Sequence, residues 1–185
     1  MDITIWGPGL WELIHTVTYN YSTTTMTETK KKQYIKFFTK LGDILPCPHC
    51  KEHYVSYLNK YPIQNNINSY DSITKWVNNL HNIVNSKLKK KVYTLNESKA
   101  KYFSNNVLLI NHHIIYNFLD NTITTINSNN IESFKTFFNS LFHIFPCEPC
   151  RLKLNIINRT NKLHLIDENG AKKWYSNINI KSLHT

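Results

Sequence analysis

The chain has 185 residues, 41% of them hydrophobic and 13% aromatic, which is enough for a core in one compact domain or two small ones and excludes a disordered tail. Only four glycines and six prolines interrupt long periodic apolar patterns, so the composition points to helices joined by short connections. The formal charge of +10 admits non-specific contact with nucleic acid or acidic surfaces, but the lysines fall in short groups, Lys30 to Lys32 and Lys87 to Lys91, without a nucleic-acid module, so no specific nucleic-acid partner is expected.

In chain order, Leu10, Leu13, Ile14, Val17 and Tyr21 recur at helical spacing and predict a helix from Ile3 to about Tyr21. Trp11, His15 and Tyr19 form a second stripe on it at i, i+4 and i+8, which taken alone reads as ordinary core packing. A polar Thr-rich loop over Ser22 to Thr29 precedes a helix from about Glu28 to Ile44 that buries Tyr34, Phe37, Phe38, Leu41 and Leu45. Pro46 ends that segment, and Pro48 suits the first turn of a third helix, placing Cys47 at or next to its N-cap. The third helix is expected to run to about Asn59, burying Tyr54, Tyr57 and Leu58.

Asp71 or a neighbouring Ser would cap a fourth helix with a wide stripe of Ile73, Trp76, Val77, Leu80, Val84 and Leu88, carrying His81 and Asn85 on its flank. Thr94 and Glu97 have the form of a capping box and open a helical stretch that leads into Val107 to Phe118. A boundary between two halves falls near Lys101 to Asn106, and Asn127 to Asn130 is a polar break. The second half repeats part of the first at an offset of 100: Phe37, Phe38, Leu41, Ile44, Pro46, Cys47 and Cys50 are answered by Phe137, Phe138, Leu141, Ile144, Pro146, Cys147 and Cys150. With a two-residue slip the match reaches Trp76 and Trp174, as in an internal duplication packed as a pseudo-dimer. The counterparts of His81, Asn82 and Asn85 are Asn179, Ile180 and Leu183, and no Trp-Gly-Pro segment precedes the copy.

All four cysteines lie in two Cys-x-x-Cys pairs, unlike the dispersed cysteines of a disulfide-stapled secreted domain. At a helix N-terminus the free N–H groups favour a thiolate, lowering a cysteine below its usual pKa near ~8.5. Three readings compete. A zinc site is disfavoured because the two pairs are much further apart than the ~15–20 residues of a zinc ribbon; a thioredoxin-type site needs strands where these flanks are helical; a flavin-linked thiol oxidase needs a place for a flavin ring against one cysteine. No metal is expected.

Trp6-Gly7-Pro8-Gly9-Leu10-Trp11-Glu12-Leu13-Ile14-His15, then Leu45-Pro46-Cys47-Pro48-His49-Cys50, then the segment from Trp76 to Leu88 that contains His81, Asn82 and Asn85, closely resemble the Erv/Alr family of FAD-dependent sulfhydryl oxidases in order and spacing, over about residues 3 to 102. The resemblance implies an all-α fold, a four-helix bundle with a short fifth helix holding FAD over residues 1–102; the internal repeat adds a degenerate helical unit without FAD over 103–185, packed on it as an internal pseudo-dimer, with a homodimer as a further assembly. It implies that Cys50 lies against the flavin and Cys47 exchanges with an incoming protein dithiol, with molecular oxygen as the final acceptor and hydrogen peroxide as product. Trp6, Gly7, Trp11, His15, Tyr19, Trp76, His81, Asn82, Val84, Asn85 and Leu88 become FAD contacts, Lys87 and Lys90 pyrophosphate contacts, and Tyr93 and Tyr102 aromatic contacts at family positions.

The family's separate shuttle disulfide on a flexible tail has no recognisable form here. Cys147–Cys150 is the one candidate shuttle, and a structural or relic disulfide is the favoured reading. His49 and Glu148 could tune the thiolates, whereas His53, His112, His113 and His143 read as packing or surface residues. A second class of function stays open: a thiol-exchange or interaction protein whose Cys-x-x-Cys pairs are structural. No apolar run approaches the ~18 residues of a membrane span, no signal pattern stands at the N-terminus, and a composition rich in Asn, Ile, Lys and Tyr suggests an AT-rich genome. Host cytoplasm or virion is the expected location for a viral protein, and the mitochondrial intermembrane space otherwise.

Overall fold

The computed structural model describes residues 2–21, 26–103, 112–163 and 166–178. Among them all regular structure is helical: α1 (Ile3–Tyr19), α2 (Glu28–Ile44), α3 (Pro48–Lys60), a 3-10 turn (Ile63–Asn66), α4 (Tyr70–Lys87), α5 (Leu95–Tyr102), α6 (His112–Ile123), α7 (Ile131–Ile144), α8 (Glu148–Asn161) and α9 (Glu168–Ile178).

Local chemistry fixes the helix ends. The Asp2, Thr27 and Ser69 side chains accept from the amides of Thr4, Lys30 and Ser72, satisfying first-turn donors of α1, α2 and α4. Leu45, extended at φ −56° and ψ 133°, ends α2 because the following Pro46 disfavours the helical region for its predecessor. Cys47 caps α3 with Pro48 in its first turn, as the sequence implies. At the end of α4 the Lys90 amide donates to the Asn85 carbonyl at 2.8 Å and the Lys89 amide to the Ser86 carbonyl at 3.1 Å, closing the helix through a left-handed Lys89. Thr94 and Glu97 form the capping box of α5.

Of the two expected caps of α4, Asp71 or a neighbouring Ser, it is Ser69 that serves, leaving Asp71 in the first turn. Two boundaries differ from expectation. The first helix stops at Tyr19, where Asn20 turns its amide side chain back onto the Thr16 carbonyl. The stretch opened by the capping box ends at Tyr102, and Phe103 is extended, so it does not run unbroken into Phe118. Residues 104–111, most of the Thr-rich loop at 22–25, and positions 179, 180 and 183 of the duplicated segment lie outside the described residues.

The most extensive packing is between the halves, α2 against α7 and α1 against α6. Phe37 stacks on Phe137, and Trp6 meets Phe118 at 6.3 Å. Gly9 allows the α1–α6 approach: a Cβ there would lie 2.0 Å from the Ile114 carbonyl oxygen. Ser133 Oγ donates to Asp43 Oδ2 at 2.7 Å across the same junction. One apolar core, from Leu13, Phe38 and Val77 to Phe138, Phe142 and Trp174, runs through both halves. The repeat is visible in its packing: Trp76 meets Phe38 edge-on at 5.1 Å, and Trp174 meets Phe138 edge-on at 5.3 Å.

Candidate active site

The Cys47–Cys50 disulfide opens α3, with its Cα atoms 5.2 Å apart and the Cys47 sulfur accepting the Cys50 amide at 3.2 Å. Both cysteines are partly exposed. The Cys50 amide faces the Cys47 sulfur and both cysteines sit at the positive end of α3, an environment that stabilises a thiolate when the bond opens. Behind the disulfide is a cavity of about 480 Å³. Trp6, Gly7, Leu10, Trp11 and Ile14 of α1 form one wall, and Leu80, Ile83, Val84 and Lys87 of α4 with the adjoining Leu88 form another. His49, His53, Tyr54 and Tyr57 continue the α3 side.

A second hollow of about 390 Å³ shares Ile3, Gly7, Trp11, Val84 and Leu88 with the first, so the two form one bent cleft. In its floor Trp11 stacks on His81 at 3.8 Å with 8° between the planes, and His15 stacks on Tyr102 at 4.2 Å and 9°. His15 Nε2 and His81 Nδ1 share a hydrogen bond of 2.9 Å in which one ring donates and the other accepts. Burial, with His81 and Lys101 adding to it, holds the His15 pKa well below its ordinary value. Burial, then Lys101 and Lys90, push His81 down to about 4. Both rings are therefore neutral near pH 7. At the rim, the Lys101 ammonium sits 4.9 Å from the Tyr102 ring and 5.1 Å from the Tyr93 ring, beside Lys90 and Lys91.

Of the residues singled out from sequence, Trp6, Gly7, Trp11, Val84 and Leu88 border the cavity with Cys47 and Cys50; His81, Asn85, Lys90, Tyr93 and Tyr102 border the connected hollow. His15 and Tyr19 lie behind this surface, fully buried, with the Tyr19 hydroxyl donating to Ser98 Oγ at 2.6 Å. Trp76 and Asn82 instead border a third, open hollow of about 790 Å³, which adjoins the disulfide cavity at Tyr57, Ile83 and Lys87. Their polar groups serve the fold: Trp76 Nε1 donates to the Tyr61 carbonyl, and the Asn82 amide both accepts from the Tyr93 amide and donates to its carbonyl. Lys101 and His53 also border these hollows, although the sequence does not single out Lys101, and His53 reads there as a packing or surface residue. Helical spacing from Cys50 was an available signal for His53, and none was available for Lys101, whose position depends on how α5 docks.

Cys147–Cys150 repeats the local geometry, with the Cys147 sulfur accepting the Cys150 amide at 3.3 Å. Its surroundings differ. The two cysteines are 3% and 2% exposed and belong to the shared core, while Arg151 Nη1 donates to the Phe145 and Pro146 carbonyls at 2.7 and 3.1 Å and fixes the turn before α8. Among the described residues no group of three or more His, Cys, Asp or Glu is placed to hold a metal ion, and no helix is long and apolar enough to cross a membrane.

A family model described as the Erv1/Alr family matches residues 8–103. A probable FAD-linked sulfhydryl oxidase of Acanthamoeba polyphaga mimivirus is 35% identical over 94 residues, 50% of this chain and 65% of that protein. An FAD-linked sulfhydryl oxidase of African swine fever virus is 32% identical over 97 residues, 52% of this chain and 79% of that protein. One from Saccharomyces cerevisiae is 30% identical over 87 residues, covering 47% of this chain and 43% of that protein. No solved structure matches significantly. The matched segment contains the Cys47–Cys50 pair, the α4 wall and the Lys101–Tyr102 rim of the bent cleft, and on this evidence the chain belongs to the Erv1/Alr family.

Proposed function

We propose that the chain is an FAD-linked sulfhydryl oxidase that forms disulfides in protein dithiols at Cys47–Cys50. The observation that carries this reading is a partly exposed disulfide at a helix N-terminus, bordering an apolar cavity that adjoins a stacked aromatic and histidine floor with lysines at its rim.

The residues present fit a flavin dinucleotide. Trp6 Nε1 and His15 Nδ1 are buried without a hydrogen-bond partner beside this cleft, polar groups that a bound ligand or a relayed contact would satisfy. Trp6, Leu10 and Trp11 offer apolar and aromatic surface next to Cys50, Trp11, His81 and Tyr102 offer flat faces further along, and Lys90 and Lys101 offer positive charge for phosphates. FAD bound there would accept an electron pair from the reduced cysteines and pass it to oxygen, giving hydrogen peroxide.

The chain's own contribution begins with exposure: Cys47 meets an incoming thiolate, and a mixed disulfide forms at its sulfur. Cys50 leaves as a thiolate in the first turn of α3, where the positive end of the helix stabilises it. The second substrate thiol then releases Cys47, and the substrate leaves oxidised. We assign residues 1–102 to the FAD domain and 103–185 to a degenerate copy without FAD. Cys147–Cys150 is a structural pair, because burial in the core keeps it from exchanging with a partner dithiol. The viral relatives favour action in host cytoplasm or in a virion.

Purified protein tests the reading. Flavin absorbance at one FAD per chain, with oxygen consumed when dithiol is added, is expected. Colourless protein that carries zinc contradicts the oxidase, and two FAD per chain contradicts the degenerate second unit.

A further inference from the structure

Cys50 and His53 are three residues apart on α3, a spacing that puts both on one face, and both line the cavity behind the disulfide. His49 lines it too, and its ring lies tilted against His53 with centroids 4.2 Å apart. Lys87 reaches the cavity from α4, while α1 contributes no charged group to it, only Ile3, Trp6, Gly7, Leu10, Trp11 and Ile14. The nearby acid, Glu52, lies 3.9 Å from His49 Nδ1. His53 is shifted below its ordinary pKa by partial desolvation, then by Lys87 and His49, with Glu52 opposing. His53, shifted towards the neutral imidazole, therefore shares a cavity wall with Cys50, whose sulfur leaves when the disulfide opens.

We propose that His53 accepts the proton of the entering substrate thiol and then, as imidazolium, pairs with the Cys50 thiolate. This rests on the oxidase reading of Cys47–Cys50. The substrate R–SH gives its proton to His53, and the electron pair on its sulfur forms the new bond to the Cys47 sulfur. The Cys47–Cys50 bond breaks, leaving its electron pair on Cys50. The products are the R–S–S–Cys47 mixed disulfide, a Cys50 thiolate and a His53 imidazolium, with net charge unchanged. The ion pair lowers the energy of the leaving sulfur, the effect an adjacent His⁺ has on a reactive cysteine. His53 reads from sequence as a packing or surface residue, and it is exposed here while also lining the cavity, which the sequence does not show.

The test uses the full chain with Cys47→Ser, which leaves Cys50 as a single thiol and keeps a hydroxyl at the N-cap. The rate of alkylation by iodoacetamide is followed against pH. Cys50 is expected to titrate below the free value near ~8.5. Adding His53→Gln is expected to move the profile upward and slow alkylation at pH 6.5 by about tenfold, while adding Lys87→Gln has a smaller effect. Superimposable profiles with and without His53→Gln, or a shift produced wholly by Lys87→Gln, overturn the proposal. In the otherwise unmodified enzyme, His53→Gln is expected to slow disulfide reduction by dithiol near pH 7 and to recover at high pH, where the substrate thiol ionises unaided. A loss independent of pH overturns the proton role. Absence of turnover in the parent chain contradicts the oxidase reading separately, since alkylation is read without flavin or oxygen.

Discussion

Phe37 stacks on Phe137, the residue one hundred positions later, with ring centroids 5.0 Å apart and 24° between the planes. In a two-fold arrangement a residue meets its own counterpart only at the axis, so the pseudo-dyad of the duplicated chain passes through this pair between α2 and α7. Both rings are fully buried, and either Phe→Ala change is expected to cost about 3–5 kcal/mol in denaturant unfolding. The double variant should show a coupling of about 1 kcal/mol. Additive single effects would mean that the two rings do not meet.

Gly9→Ala and Gly7→Ala should separate sharply. A Cβ at Gly9 collides with the backbone of α6, which cannot yield without moving the helix, and a loss of about 1–3 kcal/mol is expected. A Cβ at Gly7 meets only Ile3 Cγ1 at 3.2 Å, a side-chain atom on its own helix that can give by a few tenths of an ångström, so stability should barely change. Equal unfolding midpoints for the two variants would contradict the close α1–α6 packing.

Much of this was legible in the residues. Caps and breakers announce α2, α3 and α5, and the offset of 100 between Phe37–Cys50 and Phe137–Cys150 announces the repeat, because these signals are local or are copied along the chain. What could not be read was direction. Trp76, Val84 and Asn82 share one helix, yet Val84 borders the disulfide cavity while Trp76 and Asn82 bond the Tyr61 and Tyr93 backbones, a choice made by how the 3-10 turn and α5 pack against α4. The flanking motifs already set the two disulfides apart, but not their exposure: the same Cys-x-x-Cys opens both α3 and α8, and only tertiary packing exposes one and buries the other.

The His15–His81 pair should make the fold acid-sensitive. Both groups have folded pKa values depressed below ~6.5, so the unfolded chain binds more protons than the folded one as pH falls. Stability is therefore fully present above pH ~6.5 and declines below it, by up to about 1.4 kcal/mol per pH unit for each ring, with the His81 contribution levelling off near its folded value of about 4. Urea midpoints at pH 7 and pH 5 check this, with His81→Gln expected to reduce the slope. A flat profile between those pH values would place the pair in solvent.

Replacing Cys147 and Cys150 by serine should lower stability without slowing catalysis. A loop this short contributes about 2 kcal/mol through restriction of the unfolded chain. Turnover with a reduced protein substrate should match that of the parent. A variant that still oxidises a small dithiol but fails on protein dithiols would make the pair a shuttle.

Oxygen consumption by Cys50→Ser with a dithiol substrate, measured beside the flavin absorbance of the same preparation, bears most directly on the role of the 47–50 pair. Turnover should fall by at least about a hundredfold, as expected when a covalent nucleophile is removed, while bound FAD remains. Unchanged oxygen consumption in a variant that keeps its flavin would show that electrons do not pass through Cys50.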